Sequence, residues 1–328
     1  MIQETPIRGR AQWLQLREKD VTASIVGGLL GVHPYATPYS IWALKTGRDP
    51  QDPEENEAMR RGRLLEPVAV QMLKEDYPEL SFRLPGVYLR DPDVRIGATP
   101  DLYCQCPERG FGIVQIKTTF DLMLRDEWTD PDTGEIVPPA WIIAQTITEA
   151  TLSGAQWAAV AVLVLGYAGS LKLHMVEIPI RPQIYTRIRD AVVAFWKMVE
   201  SGEEPEADPE RDGPTLDRVY REAVDIEKDL SEDPDVIPIC QSYLAAGARE
   251  KLAAEDKKVA ANKLKMKMGN AANALLPNGS ILTWATVRKA GGYVAPSSYR
   301  QIRVPAKVAT YDPNAVPDEP GATPQGGF

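Results

Sequence analysis

The segment Gly97-Ala98-Thr99-Pro100-Asp101 is followed, fourteen positions after its aspartate, by Gln115 within Val114-Gln115-Ile116-Lys117-Thr118. An acid, an amide and an amine at this spacing can work on a phosphodiester. If Val114–Thr118 is a strand, side-chain alternation puts Gln115 and Lys117 on one face and turns Ile116 into the core. A hairpin between the two segments brings Asp101 beside Gln115. The side-chain oxygens of Asp101 and Gln115, with the Ile116 backbone carbonyl, can then hold a hard cation such as Mg²⁺ or Mn²⁺, with waters completing its shell. Lys117 would orient a water and neutralise the phosphate as charge develops. Taken alone the segment is not decisive, because a Pro-Asp pair is common in turns and lysines are common at strand ends.

Other chemistries are poorly supplied. The chain has two histidines, His33 and His174, which argues against histidine-rich zinc sites and against a Ser-His-Asp triad. His33 lies in a Val-His-Pro-Tyr turn and reads as structural, as does His174 on a strand. The three cysteines, Cys104, Cys106 and Cys240, are too few for a disulfide framework or a four-cysteine cluster. They read as small residues in a reducing compartment. No glycine-rich dinucleotide loop follows a strand, and no P-loop is present.

The elements that must position the acid, amide and amine are legible in outline. Residues 11–31 read as two short helices, the second starting near Ala23 under a Thr22 or Ser24 cap. Thr37-Pro38 starts another helix, with Pro at the first position. Residues 55–76 read as an amphipathic helix whose apolar side is Met59, Leu64, Leu65, Val68, Val70, Met72 and Leu73. Three β-rich runs, 80–90, 94–99 and 111–117, read as a meander. Residues 138–154 read as helix, 157–165 and 171–178 as strands joined by a turn, and 182–201 as a helix ending at Gly202. Trp13, Trp42, Trp141, Trp157 and Trp196 read as core. This order predicts a mixed α/β core for residues 1–202.

Length and charge add the organisation. The chain has 328 residues, 44% hydrophobic and 25% charged, with a net charge of −9. These values exclude a wholly disordered or fibrous chain. No apolar run approaches membrane-spanning length, and the N-terminus lacks the pattern of a signal peptide. The charge is unevenly spread. Residues 200–240 carry fifteen acids against four Lys/Arg, whereas residues 241–308 carry twelve Lys/Arg against three acids. Residues 203–239 read as an acidic, Pro-rich linker with a short helix. Residues 240–308 read as a basic extension with a long helix over 240–275, a Pro277-Asn278-Gly279 turn and a strand from Ser280 to Val287. Residues 309–328 read as a disordered tail. Lys257, Lys258, Lys263, Lys265 and Lys267 on the long helix are candidate DNA-backbone contacts. The alternative is a solvated lysine face. The acidic stretch could serve as a solvated spacer, as a repellent that channels DNA, or as a dock for a protein partner.

Five landmarks in order then resemble one family. They are Trp13-Leu14-Gln15-Leu16-Arg17 with Val21-Thr22-Ala23-Ser24; Gly62-Arg63-Leu64-Leu65-Glu66-Pro67; Thr99-Pro100-Asp101; Gln115-Ile116-Lys117; and Ala144-Gln145. Each is weak alone, but together over residues 13–165 they resemble the YqaJ-like viral recombinase, or phage lambda exonuclease, family of the PD-(D/E)XK nuclease superfamily. The resemblance implies an α/β restriction-endonuclease-like core, a central mixed sheet flanked by helices, with a C-terminal helical and β-hairpin extension. It implies a Mg²⁺-dependent 5′→3′ exonuclease on double-stranded DNA ends that leaves 3′ single-stranded overhangs for recombination by strand annealing. By residue match, Asp101 and position 115 would be metal ligands, and Glu66 would reach the metal through water. Lys117 would be the water-positioning group and Gln145 its support. Arg17 and Ser24 would hold the 5′-phosphate, where a guanidinium fork suits a phosphate monoester. It also implies a single-strand annealing protein as partner, a ring-shaped homo-oligomer such as a trimer, and a phage or prophage protein in the bacterial cytoplasm.

The sequence departs from the family at one ligand. Position 115, normally Glu or Asp, is Gln, which ligates through a neutral oxygen. Three explanations stand: an introduced Glu→Gln change that traps DNA uncut, a natural site that works with an amide, or a DNA-end-binding protein that has lost catalysis. Asp101, Glu66, Lys117 and Arg17 all being in place favours the first two.

Overall fold

The structure, a computed structural model, describes residues 1–49, 56–277 and 280–285. The chain forms two compact units, one of Met1–Arg221 and one beginning at Glu222.

The first unit opens with β1 (Gln3–Pro6), α1 (Arg10–Glu18), β2 (Val21–Thr22), α2 (Val26–Leu29), α3 (Pro38–Lys45) and α4 (Glu57–Asp76). It continues through β3 (Ser81–Arg83), β4 (Val87–Asp91), β5 (Ile96–Ala98), β6 (Leu102–Cys106) and β7 (Gly110–Phe120). Then come α5 (Asp121–Glu127), α6 (Ala140–Ser153), β8 (Trp157–Leu165), β9 (Leu171–Ile178), α7 (Pro182–Ser201) and α8 (Gly213–Val219). The central sheet has five strands in the order β3-β6-β7-β8-β9; the β7–β8 pair is parallel and its other pairs antiparallel. The class is the mixed α/β one expected, with a mixed sheet flanked by helices.

Alternation along the two central strands sets what each face meets. Val114, Ile116, Ala159, Ala161 and Leu163 pack against Ala69 and Leu73 of α4. Val160, Val162 and Val164 pack with Ile142 and Ile147 of α6. Gln115 and Lys117 therefore share the α6 face. Helices on both faces explain why β8 reads as an unbroken apolar run. At α3, Thr37 and Ser40 form a reciprocal capping box behind Pro38. At α7, Gly202 closes the helix in the left-handed region (φ 75°).

Several expectations differ from the structure. The region 80–117 is not a meander. Its strands divide between two sheets: β3, β6 and β7 join the central one, and β4 and β5 a second sheet ordered β1-β4-β5-β2. Strand β6, with Cys104 and Cys106 buried and free, falls in a gap between the expected runs. Thr22 and Ser24 do not cap the second helix; α2 starts later, and Thr22 pairs in β2. On α4, Met59, Leu64 and Val68 are exposed, because the sheet takes the i, i+4, i+8 line of Leu65, Ala69 and Leu73. Residues 203–214 are not a free linker. Asp212 is fully buried and accepts from Thr37 Oγ1 (2.5 Å) and from the Asp208 backbone N–H (2.7 Å). Arg218 then forks onto Asp49 with two 2.7 Å bonds. These anchors carry the first unit past Gly202 to Arg221.

In the second unit, α9 (Val236–Met268) starts before residue 240 and stops at Gly269 (φ 54°), short of the expected 275. Strands β10 (Asn273–Leu275) and β11 (Ile281–Thr283) pair as an antiparallel hairpin. The turn at Asn278-Gly279, the strand beyond residue 285 and the tail 309–328 lie outside the described residues. No helix among the described residues is long and apolar enough to cross a membrane.

Candidate active site

A cleft of about 400 Å³ in the first unit gathers Trp13, Arg17, Gly62, Glu66, Thr99, Asp101, Gln115, Ile116, Lys117, Thr118 and Gln145. These come from α1, α4, the turn before β6, the middle of β7, and α6.

The β6–β7 hairpin pairs Leu102 with Val114, which sets Asp101 against Gln115 and Ile116. Asp101 Oδ2 accepts the Ile116 backbone N–H at 2.8 Å and a short bond from Gln115 Nε2. Burial pushes the Asp101 carboxyl up, while Lys117 and those two donors pull it down. Gln115 is buried, and its Oε1 has no hydrogen-bond partner. An orphaned acceptor is costly unless something outside the protein meets it. Glu66 faces Asp101 from α4, and its carboxyl is raised by burial and by that acid. Among the described residues no group of three or more His, Cys, Asp or Glu is gathered closely enough to hold a metal ion. A cation would have to rely on mixed oxygen donors. The set present fits a hard ion: Asp101, the unmet Gln115 Oε1 and the Ile116 carbonyl, with Glu66 at one water's remove.

Lys117 Nζ donates to Gln145 Oε1 at 2.9 Å and lies 5.5 Å from the Trp141 ring centroid. Gln145 Nε2 in turn donates to Glu149 Oε1 at 2.8 Å. At the other end, the Arg17 guanidinium stacks over Trp13 at 4.1 Å. Its Nη2 donates to Ser24 Oγ (3.3 Å) and Thr22 Oγ1 (3.4 Å), and Trp13 Nε1 donates to Thr99 Oγ1 (3.1 Å). Lys45 Nζ donates to the Arg17 carbonyl, fixing the end of α1. Gly97 in β5 is required by crowding: a Cβ there would lie 1.9 Å from the Tyr88 hydroxyl, which donates to buried Asp20.

The structure thus brings Arg17, Glu66, Asp101, Gln115, Ile116, Lys117 and Gln145 into one cleft, with Ser24 bonded to Arg17. Lys257, Lys258, Lys263, Lys265 and Lys267 are exposed on α9 of the second unit. Four groups escaped the sequence reading. Thr22 stands beside Ser24 under Arg17. Trp13 and Trp141, expected in the core, are half-buried; Trp13 lines the cleft and the Trp141 ring lies beside Lys117. Glu149 had a signal: the one charged residue of α6, four residues after Gln145. His33 is structural in its contacts, its Nδ1 accepting the N–H groups of Tyr35 and Ala36. Burial and the charge of Lys117 push its imidazole down to about 4.

Residues 12–156 match the model of the YqaJ-like viral recombinase domain. The chain is 29% identical over 203 residues to the uncharacterized protein YqaJ of Bacillus subtilis (strain 168), a match covering 61% of this chain and 59% of that protein. The chain thus spans 59% of the length of that curated relative. Among solved structures, the alkaline exonuclease LHK-Exo from Laribacter hongkongensis is 22% identical, covering 59% of this chain and 94% of that one, with a TM-score of 0.45. A phage related exonuclease from Haemophilus somnus 129PT is 12% identical, covering 58% and 99%, with a TM-score of 0.38.

Proposed function

We propose that this chain, whose residues 12–156 match the YqaJ-like viral recombinase domain, is a divalent-cation-dependent deoxyribonuclease acting at double-stranded DNA ends. The observation that carries the reading is the placement of Lys117 and Gln115 on one face of β7, joined to Asp101 across the β6–β7 hairpin, in a cleft that also holds Glu66 and Arg17. Mg²⁺ or Mn²⁺ held by Asp101, Gln115 Oε1 and the Ile116 carbonyl would supply positive charge to the scissile phosphate.

The chain's own groups do the rest. The Lys117 ammonium keeps donors beyond the one given to Gln145 and turns them to the attacking water and the phosphate oxygens. Gln145 holds that ammonium in place. Glu66 orders water beside Asp101. Arg17, flattened on Trp13 and braced by Ser24 and Thr22, offers a planar fork to a terminal 5′-phosphate. With an anchor for the 5′-end beside the cleaving groups, removal proceeds 5′→3′ and leaves a 3′ overhang for a single-strand annealing protein. A ring-shaped homo-oligomer around the duplex and a place in the cytoplasm of a phage or prophage host complete the proposal. The exposed lysines of α9 would add non-specific affinity for the DNA backbone.

One observation favours a second reading, a DNA-end-binding protein without catalysis. Gln115 turns its amide nitrogen toward Asp101 and so occupies a carboxylate oxygen that a cation would use. Release of nucleotides from linear duplex, with 5′-phosphate or 5′-hydroxyl ends and with or without Mg²⁺, separates the two. Cation-dependent release that favours 5′-phosphate supports the nuclease. End binding with no release under any condition supports the alternative.

A further inference from the structure

Glu149 is 1% exposed on α6, and its Oε2 has no partner. A carboxyl in such surroundings costs stability, and burial and the nearby Asp101 push its pKa up to about 8. Packing alone gives no reason for an acid here. Its neighbours are Gln145 and, at longer range, Asp101, Lys117 and Arg17, and a methionine or leucine there would avoid the desolvation cost. What Glu149 does is accept from Gln145 Nε2 at 2.8 Å, while Gln145 Oε1 accepts from Lys117 Nζ at 2.9 Å.

An amide has one accepting and one donating end of nearly equal shape, and its flip is set by its neighbours. Lys117 offers only donors, so it demands the oxygen. Glu149 Oε1 offers an acceptor, whether or not Oε2 carries a proton, so it demands the nitrogen. Without Glu149 the Gln145 nitrogen has no acceptor, and the amide is held from its oxygen end alone, so it no longer fixes the ammonium. We infer that Glu149 is a positioning residue, which fixes the Gln145 amide and through it the Lys117 ammonium. The inference rests on the nuclease reading above.

The test compares Glu149→Met, which removes the acceptor, with Glu149→Gln, which keeps one. Glu149→Met is expected to lower kcat for nucleotide release between about tenfold and a hundredfold, the cost of misplacing a catalytic group. KM and Mn²⁺ affinity should be unchanged. Glu149→Gln should stay within about threefold of the native chain. In a Gln145→Ala background, Glu149→Met should have no further effect. Native kcat in Glu149→Met overturns the inference, as does equal loss in both variants, which would point to charge. Weakened Mn²⁺ binding in Glu149→Met also overturns it, by making Glu149 a metal ligand. If the native chain releases nothing, the nuclease reading fails instead. The inference is then read from the Gln145 side-chain amide in ¹⁵N–¹H spectra of the free protein. Its hydrogen exchange should quicken about tenfold or more in Glu149→Met, and unchanged exchange overturns the inference.

Discussion

Lys117 Nζ and Gln145 Oε1 stand 2.9 Å apart, the amine of a strand donating to the amide of the next long helix. Topology brings them together. β7 and β8 run parallel, so the chain between them must cross over, and α6 lies in that crossover. The helix covers the face to which alternation turns residues 115 and 117, so Gln145 comes down on Lys117.

Arg17 is the group we assign to the DNA terminus. Arg17→Lys keeps the charge and loses the planar fork, as well as the stacking on Trp13. We expect the preference for 5′-phosphate over 5′-hydroxyl duplex to shrink about tenfold, corresponding to roughly 1.4 kcal/mol. The rate on 5′-hydroxyl ends should change little. Equal loss on both substrates would remove Arg17 from this role.

The raised carboxyl of Glu149 gives a pH prediction for stability in the absence of metal. Its folded pKa, about 8, lies above the ordinary glutamate value of 4.5. The folded state therefore holds this proton more tightly than the unfolded state does. The stabilising contribution is complete below about pH 4.5 and is lost as pH rises toward 8. The native chain should lose stability relative to Glu149→Gln across that window, by at most about 1.4 kcal/mol per pH unit. Denaturant melts of both proteins at pH 5, 6.5 and 8 check this. Parallel pH profiles would contradict it.

Asp212 ties the segment after α7 onto α3. Asp212→Ala strands the Thr37 hydroxyl and the Asp208 N–H, so it should cost about 1–3 kcal/mol by chemical denaturation. A chain ending at Arg221 should unfold cooperatively, and one ending at Gly202 should melt well below it. Equal melting points would restore the boundary at residue 202.

Much of the candidate site's geometry is legible because it depends on local rules. Alternation on β7 put Gln115 and Lys117 together, and the spacing from Asp101 fitted one hairpin. The capping box at Thr37 and the glycine stop at Gly202 are equally local. What escaped is decided at long range. Strand β6 is hidden between Pro100-Asp101 and Pro107, and nothing in the 80–117 stretch tells which of two sheets a strand will join. The 203–214 segment has the composition of a linker, and partners far away in sequence, Thr37 on Asp212 and the His33 carbonyl on Arg211, make it part of the first unit. Trp13 and Trp141 look like core residues until their charged neighbours, Arg17 and Lys117, are seen lying on them. Glu149 is the one charged residue of α6, but its partner Gln145 gives it meaning only once Lys117 is in place.

The α9 lysines are assigned a purely electrostatic part. Replacing Lys257, Lys258, Lys263, Lys265 and Lys267 by Gln should weaken DNA binding and flatten the dependence of log affinity on log salt, by up to about 0.9 for each phosphate no longer neutralised. The rate at saturating DNA should hold. An unchanged slope would leave these lysines as a solvated surface.

On the reading proposed above, the Asp101–Gln115–Lys117 cleft cuts DNA with the help of a hard cation. The most direct measurement is nucleotide release from 5′-phosphorylated linear duplex in Mg²⁺ by the native chain, Gln115→Glu and Lys117→Met. Restoring a carboxylate should raise cation affinity about tenfold or more and increase release at low Mg²⁺. Removing the ammonium should lower release by about a hundredfold or more while DNA binding persists. Undiminished release from Lys117→Met, or none from Gln115→Glu at any Mg²⁺ or Mn²⁺ concentration, would contradict the account.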